Sequence, residues 1–410
     1  MTSESVENLV IGGGLAGLAA AIRLHETGRE VCVLEASDAI GGRVRTDRVD
    51  GFLLDRGFQV YLDAYPESGD FLDLPALKLR PFDPGALVWK GKRLRRMMDV
   101  FRHPRALLQT AFQPVGTPFD KFRVARLRSR LLRKSPEEIW SSRQRATVDL
   151  LREEGFSEGF IDQFFRGFYG GIFLEEHLVT SSRMFEFTFA MFCRGSATLP
   201  AAGMGAIPAQ LAARLPEGAI RCGIPVTKIE GSRVRTPTGE IQARNIIVAT
   251  DGASAAGLLP GHHAPKWNRT TCLYYSAPVA PFTDRLIALR GDREGLIHYL
   301  SVPSNIAPSY APADRALISV SVIGNACDET SLENQVQREL EEWFGPIVGD
   351  WSLLASYRIN RALPVDPPGH TGAGFEKGSV IICGDHTRSA SIEGAIGSGL
   401  RAAESLLAPA

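Results

Sequence analysis

The feature that most constrains this chain is the run VENLVIGGGLAG, residues 6–17. An apolar stretch ends in glycines spaced Gly12-x-Gly14-x-x-Gly17 and passes into LAGLAAAIRLHETG, which stops at Gly28. A second apolar run, REVCVLEAS, ends with Glu35. The pattern predicts strand, glycine turn, helix and strand, a βαβ unit. Glycines permit a tight turn and close backbone approach, and the helix N-terminus offers N–H groups and partial positive charge to a pyrophosphate. Glu35 follows Gly17 by 18 residues, where its carboxylate can accept hydrogen bonds from ribose hydroxyls. Dinucleotide binding is the expectation; the plainer alternative is a tight turn in some other α/β fold. The acid favours an unphosphorylated ribose, hence NAD or FAD over NADP.

With 410 residues the chain exceeds one typical core of roughly 100–200 residues. Composition is that of a soluble globular protein, and the net charge is zero. That zero hides an imbalance. From Lys90 to Lys134 there are 14 lysines and arginines against two acids, Asp99 and Asp120. Within it, FDKFRVARLRSRLLRKS spaces Phe122, Ala125, Leu127, Leu131 and Leu132 as a basic amphipathic helix. A solvated face and contact with an anionic membrane or acidic ligand are both open. Six scattered cysteines form no CxxC pair, which suggests buried thiols in a reducing compartment and neither disulfides nor a metal site. The N-terminus shows no basic leader, and no apolar run approaches the ~18 residues of a membrane span. The expectation is a cytoplasmic protein, with peripheral membrane contact through 90–134 left open.

Residues 146–194 read as aromatic-rich helices, the core or wall of an apolar pocket. Residues 218–250 and 268–325 read as strands, SLENQVQRELEEWFG as a helix, and SVIICG followed by GDHTRSASIEGAIGSGLRAA as another strand, turn and helix. Alternating strands and helices at both ends, with a different composition between, predict one domain built from separated segments and a second inserted into it.

Seven residues past Glu35 stands Gly42, within GGRVRT, where a double-glycine turn presents Arg43. An arginine there can grip a long dinucleotide. An acid–glycine turn follows in FLLDRGFQVY. Together VIGGGLAGLAAAIRL, VCVLEASDAIGGRVRT and LDRGFQ resemble the start of the FAD-dependent amine oxidase and phytoene desaturase superfamily, which includes protoporphyrinogen oxidase. SATLPAAGMGAIPAQLA, IPVTKI and VIICGDHTRSASIEGAIGSGLRAAESL are similar to its later motifs, in the expected order.

The resemblance implies an α/β fold: a discontinuous Rossmann-like FAD-binding domain (1–74, 196–265 and 350–410) with an inserted α+β substrate domain (75–195 and 266–349). It implies that Gly12, Gly14, Leu15, Ala16 and Gly17 hold the pyrophosphate, and that Glu35, with Ala36 beside it, takes the adenosine ribose. Gly42 and Arg43 would brace the dinucleotide, and Gly57, Phe58 and Gln59 would lie along the flavin. The Val226 backbone would meet the adenine. Gly384 and Asp385 would meet the phosphate–ribityl side, and Ile392 and Ala395 the isoalloxazine. No cysteinyl attachment is expected, so FAD is noncovalent.

A flavin supplies the redox chemistry, so no catalytic base need stand out. His386, Tyr169, Arg361 and Lys377 do not, and the catalytic residues stay unassigned. His386 reads as a surface or structural histidine. Amine oxidases of the superfamily often place an aromatic residue just before EGA; here Ser389-Ala390-Ser391-Ile392 has none. Many carry a lysine near flavin N5, and NRTTCLYYSAP has none. The stretch FFRGFYGGIFLEEHLVTSSRMFEF resembles the desaturase branch. The expectation is therefore hydride removal from an apolar or unsaturated small molecule, with a flavin amine oxidase as the alternative. A non-catalytic lipid-binding escort-type protein is a third reading, opposed by the intact glycine motif, Glu35 and Arg43. No nucleic-acid partner is expected, and the electron acceptor is open.

Overall fold

The computed structural model describes residues 4–103, 113–292, 294–324, 329–369, 376–377 and 380–408. Five parallel strands lie in the order Ile220–Arg221, Val31–Leu34, Glu4–Ile11, Gly239–Val248 and Val380–Ile382. In chain order this is three-two-one-four-five, the doubly wound arrangement. Val31–Leu34 and Val380–Ile382 are buried along their whole length, which is why both read as unbroken apolar runs. An antiparallel hairpin, Lys228–Glu230 with Arg233–Thr236, pairs with the first half of Gly239–Val248. The strand order reverses between Glu4–Ile11 and Gly239–Val248. The glycine turn after Ile11 opens at that switch point.

The helix Leu15–Glu26 is alanine-rich because it is hemmed in: Leu18, Ala19, Ala20, Ala21 and Ile22 are fully buried. It lies against the last helix, Ile392–Leu407. A Cβ on Gly399 would collide with the Ala16 carbonyl oxygen, so glycine sets how closely the two helices approach.

A second sheet has seven strands, in the order Ser352–Pro364, Trp267–Ala277, Ala316–Ile323, Ile297–Ser301, Ile287–Arg290, Gly85–Trp89 and Leu94–Met98. The helix Glu329–Phe344 covers one face through Leu332, Val336, Leu340 and Trp343, a helical stripe, with Trp343 stacked on Trp89 at 5.0 Å. The other face looks into the cavity described below. Helices between 118 and 194 close that side, and Phe160, Phe164 and Phe168 stack in sequence at 5.4 and 5.8 Å. A discontinuous Rossmann-like domain with an inserted substrate domain is therefore the architecture.

Three details depart from the sequence reading. The 350–410 segment does not belong wholly to the dinucleotide unit: Ser352–Pro364 is the edge strand of the seven-stranded sheet. It is half-buried with little alternation, so periodicity says little about its partner. IPVTKI is a strand only from Lys228, although Thr227 N–H already donates to the Arg235 carbonyl at 2.9 Å; Pro225 upstream has no N–H to give a ladder. The basic helix Pro118–Leu132 forms, opened by a Thr117–Asp120 capping box, but its buried stripe is Asp120, Leu127 and Leu131. Phe122, expected on that stripe, is 69% exposed.

Candidate active site

The glycine turn, the double-glycine turn and the start of the last helix meet around one cavity of about 1110 Å³. Gly12 has φ +112°, and a Cβ there would sit 2.7 Å from the Ala249 carbonyl oxygen. Only glycine fits at that close approach. Gly14 caps the first helix with no side-chain hydrogen bond, and nothing lies within 4 Å of where its Cβ would be. Leu15 and Ala16, in the first turn of that helix, line the cavity, and no side chain caps the turn. Gly41 (φ +106°) and Gly42 (φ +58°) bring the second turn directly onto the first: Gly41 N–H donates to the Gly13 carbonyl at 2.8 Å.

Glu35 is less free than its motif role implies. Its carboxylate accepts from Gly13 N–H at 2.6 Å, Ser37 N–H at 2.8 Å and Ser37 Oγ at 2.7 Å. It therefore tethers the second strand to the glycine turn while lining the cavity. Arg43 donates two parallel bonds to Asp385, at 2.8 and 2.6 Å, and a third to the Ala362 carbonyl at 3.1 Å. Burial works against its charge, but the Asp385 carboxylate outweighs burial and holds the guanidinium pKa up. The Arg43 carbonyl in turn accepts from Gln59 Nε2 at 2.8 Å.

Gly12, Gly14, Leu15, Ala16, Glu35, Ala36, Gly42, Arg43, Gly57, Phe58, Gln59, Val226, Gly384, Asp385, Ile392 and Ala395 all line this cavity. Of the residues expected from sequence to hold the cofactor, Gly17 alone does not. A Cβ on Gly17 would strike the Gly12 carbonyl oxygen, so its part is to seat the helix against the turn.

The last helix begins at Ser391, whose hydroxyl accepts from Gly394 N–H at 2.9 Å. Ile392 and Ala395 at its positive end line the cavity. Beyond them the walls become apolar: Tyr65, Phe82, Phe164, Phe168, Phe189 and Tyr299. The aspartates on the lining are all engaged by arginines. Asp83 meets Arg285 at 2.7 Å, Asp99 meets Arg128 at 3.5 Å, Asp251 meets Arg361 at 3.1 Å, and Asp385 meets Arg43.

Several contributors escaped the sequence reading. Glu393, buried in the last helix, accepts from Glu67 N–H and Ser68 N–H at 2.9 Å each and from Ser68 Oγ at 2.6 Å. It pins the helix Pro66–Phe71, and with it Tyr65, to the cavity wall. Asp55, in the acid–glycine turn, accepts from Thr46 Oγ1 at 2.5 Å, Met204 N–H at 2.9 Å and Tyr310 Oη at 2.9 Å. Burial raises its pKa to about 6, although all three donors pull the other way. Asp55 thereby ties SATLPAAGMGAIPAQLA, through Met204, to the turn carrying Gly57. Both acids sit inside quoted motifs, but only the fold brings their donors to them.

His386 is 6% exposed, is not on the cavity wall, and neither ring nitrogen meets a hydrogen-bond partner among the described residues. Burial holds its pKa below the usual value. Tyr169 is buried against Phe185 and lines the cavity; Arg361 is held by Asp251; the Lys377 side chain lies outside the described residues. Among the described cysteines Cys32, Cys272 and Cys383 are buried, but Cys222 is exposed, against expectation. Cys383 lies two residues before Asp385, yet it is off the cavity wall and burial pushes its thiol up to about 12.

A glycine cradle at a switch point, an acid at the second strand end and a helix N-terminus across an apolar chamber define a dinucleotide-dependent oxidoreductase. The chain belongs to the family of flavin containing amine oxidoreductases, whose model it matches over residues 15–407. It is therefore an FAD-dependent oxidoreductase, and family membership implies FAD in the cradle. It is similar to protoporphyrinogen oxidase 2 of Arabidopsis thaliana, 27% identical over 162 residues, which are 40% of this chain and 31% of that protein. Matches to such curated relatives span about a third or less of their length. Its fold is similar to cyclohexylamine oxidase from Brevibacterium oxydans IH-35A, with TM-score 0.74, 18% identity and 98% of each chain covered. It is also similar to putrescine oxidase bound to putrescine, with TM-score 0.75, 17% identity and 100% of each chain covered.

Proposed function

We propose that this enzyme oxidises apolar amines, removing a hydride from the carbon that bears the nitrogen, with FAD held noncovalently. The observation that carries the reading is the pairing of each aspartate on the cavity wall with an arginine, beside walls of phenylalanine and tyrosine. A cationic diamine would find no uncommitted aspartate among the described residues of the lining. An amine on a hydrocarbon body suits such walls, and desolvation favours its neutral form. The neutral form has the nitrogen lone pair that must form the C=N bond as the C–H electron pair leaves. Bound FAD supplies the acceptor for that hydride. The chain's share is placement: Gly12, Gly14 and Leu15 offer backbone to the pyrophosphate, Arg43 and Asp385 fix the second turn, and the helix end at Ile392 favours developing negative charge. Family membership and the likeness to cyclohexylamine oxidase support an amine over the desaturation expected from sequence.

Desaturation of an apolar substrate remains a second reading for one reason. Ala390, Ser391 and Ile392, which line the cavity, provide no aromatic cage for an amine. Anaerobic bleaching of the bound flavin separates the two: cyclohexylamine-like monoamines reduce it under the first reading, and a polyene reduces it under the second.

A further inference from the structure

An apolar wall runs from the turn carrying Gly57 to the surface. Phe58 lies 5.4 Å from Tyr299, and Phe58 and Phe168 pack against the same small core group that contains Tyr299. Phe168 lies 5.2 Å from Phe192, and Phe192 and Cys193 both line the cavity. Burial raises the Cys193 thiol to about 11, and the Arg128 guanidinium beside it pulls the other way. Arg128 in turn lies 5.2 Å from the ring of Phe101. Phe101 and Arg102 are exposed and also line the cavity, so the chamber opens to solvent beside them.

The charge at this opening is one-sided. Arg102, Lys121 and Arg128 all line the cavity, the last two standing two turns apart on one face of Pro118–Leu132. Arg102 donates to neutral acceptors, the Gly195 carbonyl at 2.6 Å and Ser196 Oγ at 2.9 Å. Lys121 Nζ donates to the Gln113 carbonyl at 3.1 Å. The acids on this part of the lining are Asp83 and Asp99. Asp83 is neutralised by Arg285. Asp99 accepts from Phe101 N–H at 2.9 Å with one oxygen and faces Arg128 at 3.5 Å with the other. Asp63, which accepts from Ser196 N–H at 2.6 Å, is off the cavity wall. Asp99 therefore stands alone against Arg102, Lys121 and Arg128 among the described residues of this lining. A guanidinium fork matches the two oxygens of a carboxylate, and a cleft edged by one sign of charge draws in the other.

We propose that Arg102 and Arg128, with Lys121, hold a carboxylate at the cavity mouth, so that the substrate is an ω-amino carboxylate: a hydrocarbon chain with the reacting amine at one end and an acid at the other. The identity of the reacting end rests on the amine reading; the carboxylate subsite does not. The chain lies along the phenylalanine wall, and the same cations repel a diamine at the entrance.

Two measurements on the FAD-loaded enzyme test this. Calorimetric titration compares octanoate and decanoate with octanamide and decanamide, and needs no oxidation. The acids bind roughly tenfold or more tighter than the amides, added salt narrows the gap, and Arg102→Gln/Arg128→Gln closes it. An unchanged flavin-to-protein ratio shows that the variant is folded. Acids that bind no tighter than amides, or a gap that survives in the variant, overturn the proposal. Anaerobic flavin reduction then compares ω-amino carboxylates, from aminohexanoate to aminododecanoate, with n-alkylamines of equal length. The best amino acid half-saturates reduction at a concentration roughly tenfold below that of its alkylamine, and the variant loses that preference. Alkylamines favoured at every length overturn the ω-amino carboxylate. Tight alkanoate binding with no reduction by either series supports the subsite and removes the amine reading instead.

Discussion

Arg43 and Asp385 form a two-bond ion pair across 342 residues of sequence, joining the double-glycine turn to the segment that precedes the last helix. One pair thus links the first and last pieces of the discontinuous domain at the cavity wall. Asp385→Ala is expected to cost about 1–3 kcal/mol, because it leaves Arg43 half-buried without its partner. Arg43→Lys keeps the charge but not the fork, and should cost less than Asp385→Ala. Unfolding midpoints in denaturant, with flavin-to-protein ratios, check both.

Glu35→Ala is expected to lower FAD affinity by about tenfold or more, since it removes the proposed ribose acceptor and frees Gly13 N–H and Ser37. Glu35→Gln keeps the shape and an acceptor and should lie between. Titration of apoprotein with FAD, followed by flavin fluorescence, gives the ranking. Equal affinity in all three proteins removes Glu35 from the site.

Gly17→Ala places a Cβ against the Gly12 carbonyl oxygen, and Gly399→Ala places one against the Ala16 carbonyl oxygen. Each forces backbone apart in a packed interior, and about 1–3 kcal/mol of destabilisation is expected. Only Gly17→Ala also distorts the glycine cradle. It should therefore lose FAD out of proportion to its lost stability, whereas Gly399→Ala should track stability alone.

How much of this was legible beforehand depended on whether a residue acts locally. Gly12, Gly14, Glu35 and Arg43 declare themselves because turn, strand and helix signals surround them within a few residues. Gly17 was legible as part of the motif but not in its role, since its neighbour is the Gly12 carbonyl and not the cavity. Glu393 and Asp55 were not legible. Their donors come from Ser68, Met204 and Tyr310, far away in sequence. Phe122 was misplaced because the apolar spacing of Pro118–Leu132 fits two helix faces, and only packing shows that Leu127 and Leu131 are the buried ones. The one-sided charge of 90–134 was plain in the sequence; that Arg126, Arg128 and Arg130 spend it on Glu154, Asp99 and Glu186 was not.

Asp55 gives a pH signature. Its folded pKa of about 6 lies above the unfolded carboxylate value, so the folded protein binds the extra proton. That contribution to stability is full below the unfolded pKa and is lost as pH rises through about 6. A loss of about 2–3 kcal/mol between pH ~4 and ~6 follows from the size of the shift. Asp55→Asn has nothing to titrate there, so the difference in unfolding free energy between it and the wild type should change across that window. A difference constant with pH contradicts the assignment.

The central claim is that the cavity takes a monoamine on a hydrocarbon body and not a diamine, which keeps a second charge when its reacting nitrogen is neutral. The most direct measurement is the rate of anaerobic flavin reduction by cyclohexylamine against putrescine, at matched concentrations and pH. The account predicts reduction by cyclohexylamine with putrescine slower by at least about tenfold, the difference expected when a charged group is buried without a partner. Putrescine reducing the flavin as fast as cyclohexylamine, or faster, contradicts it.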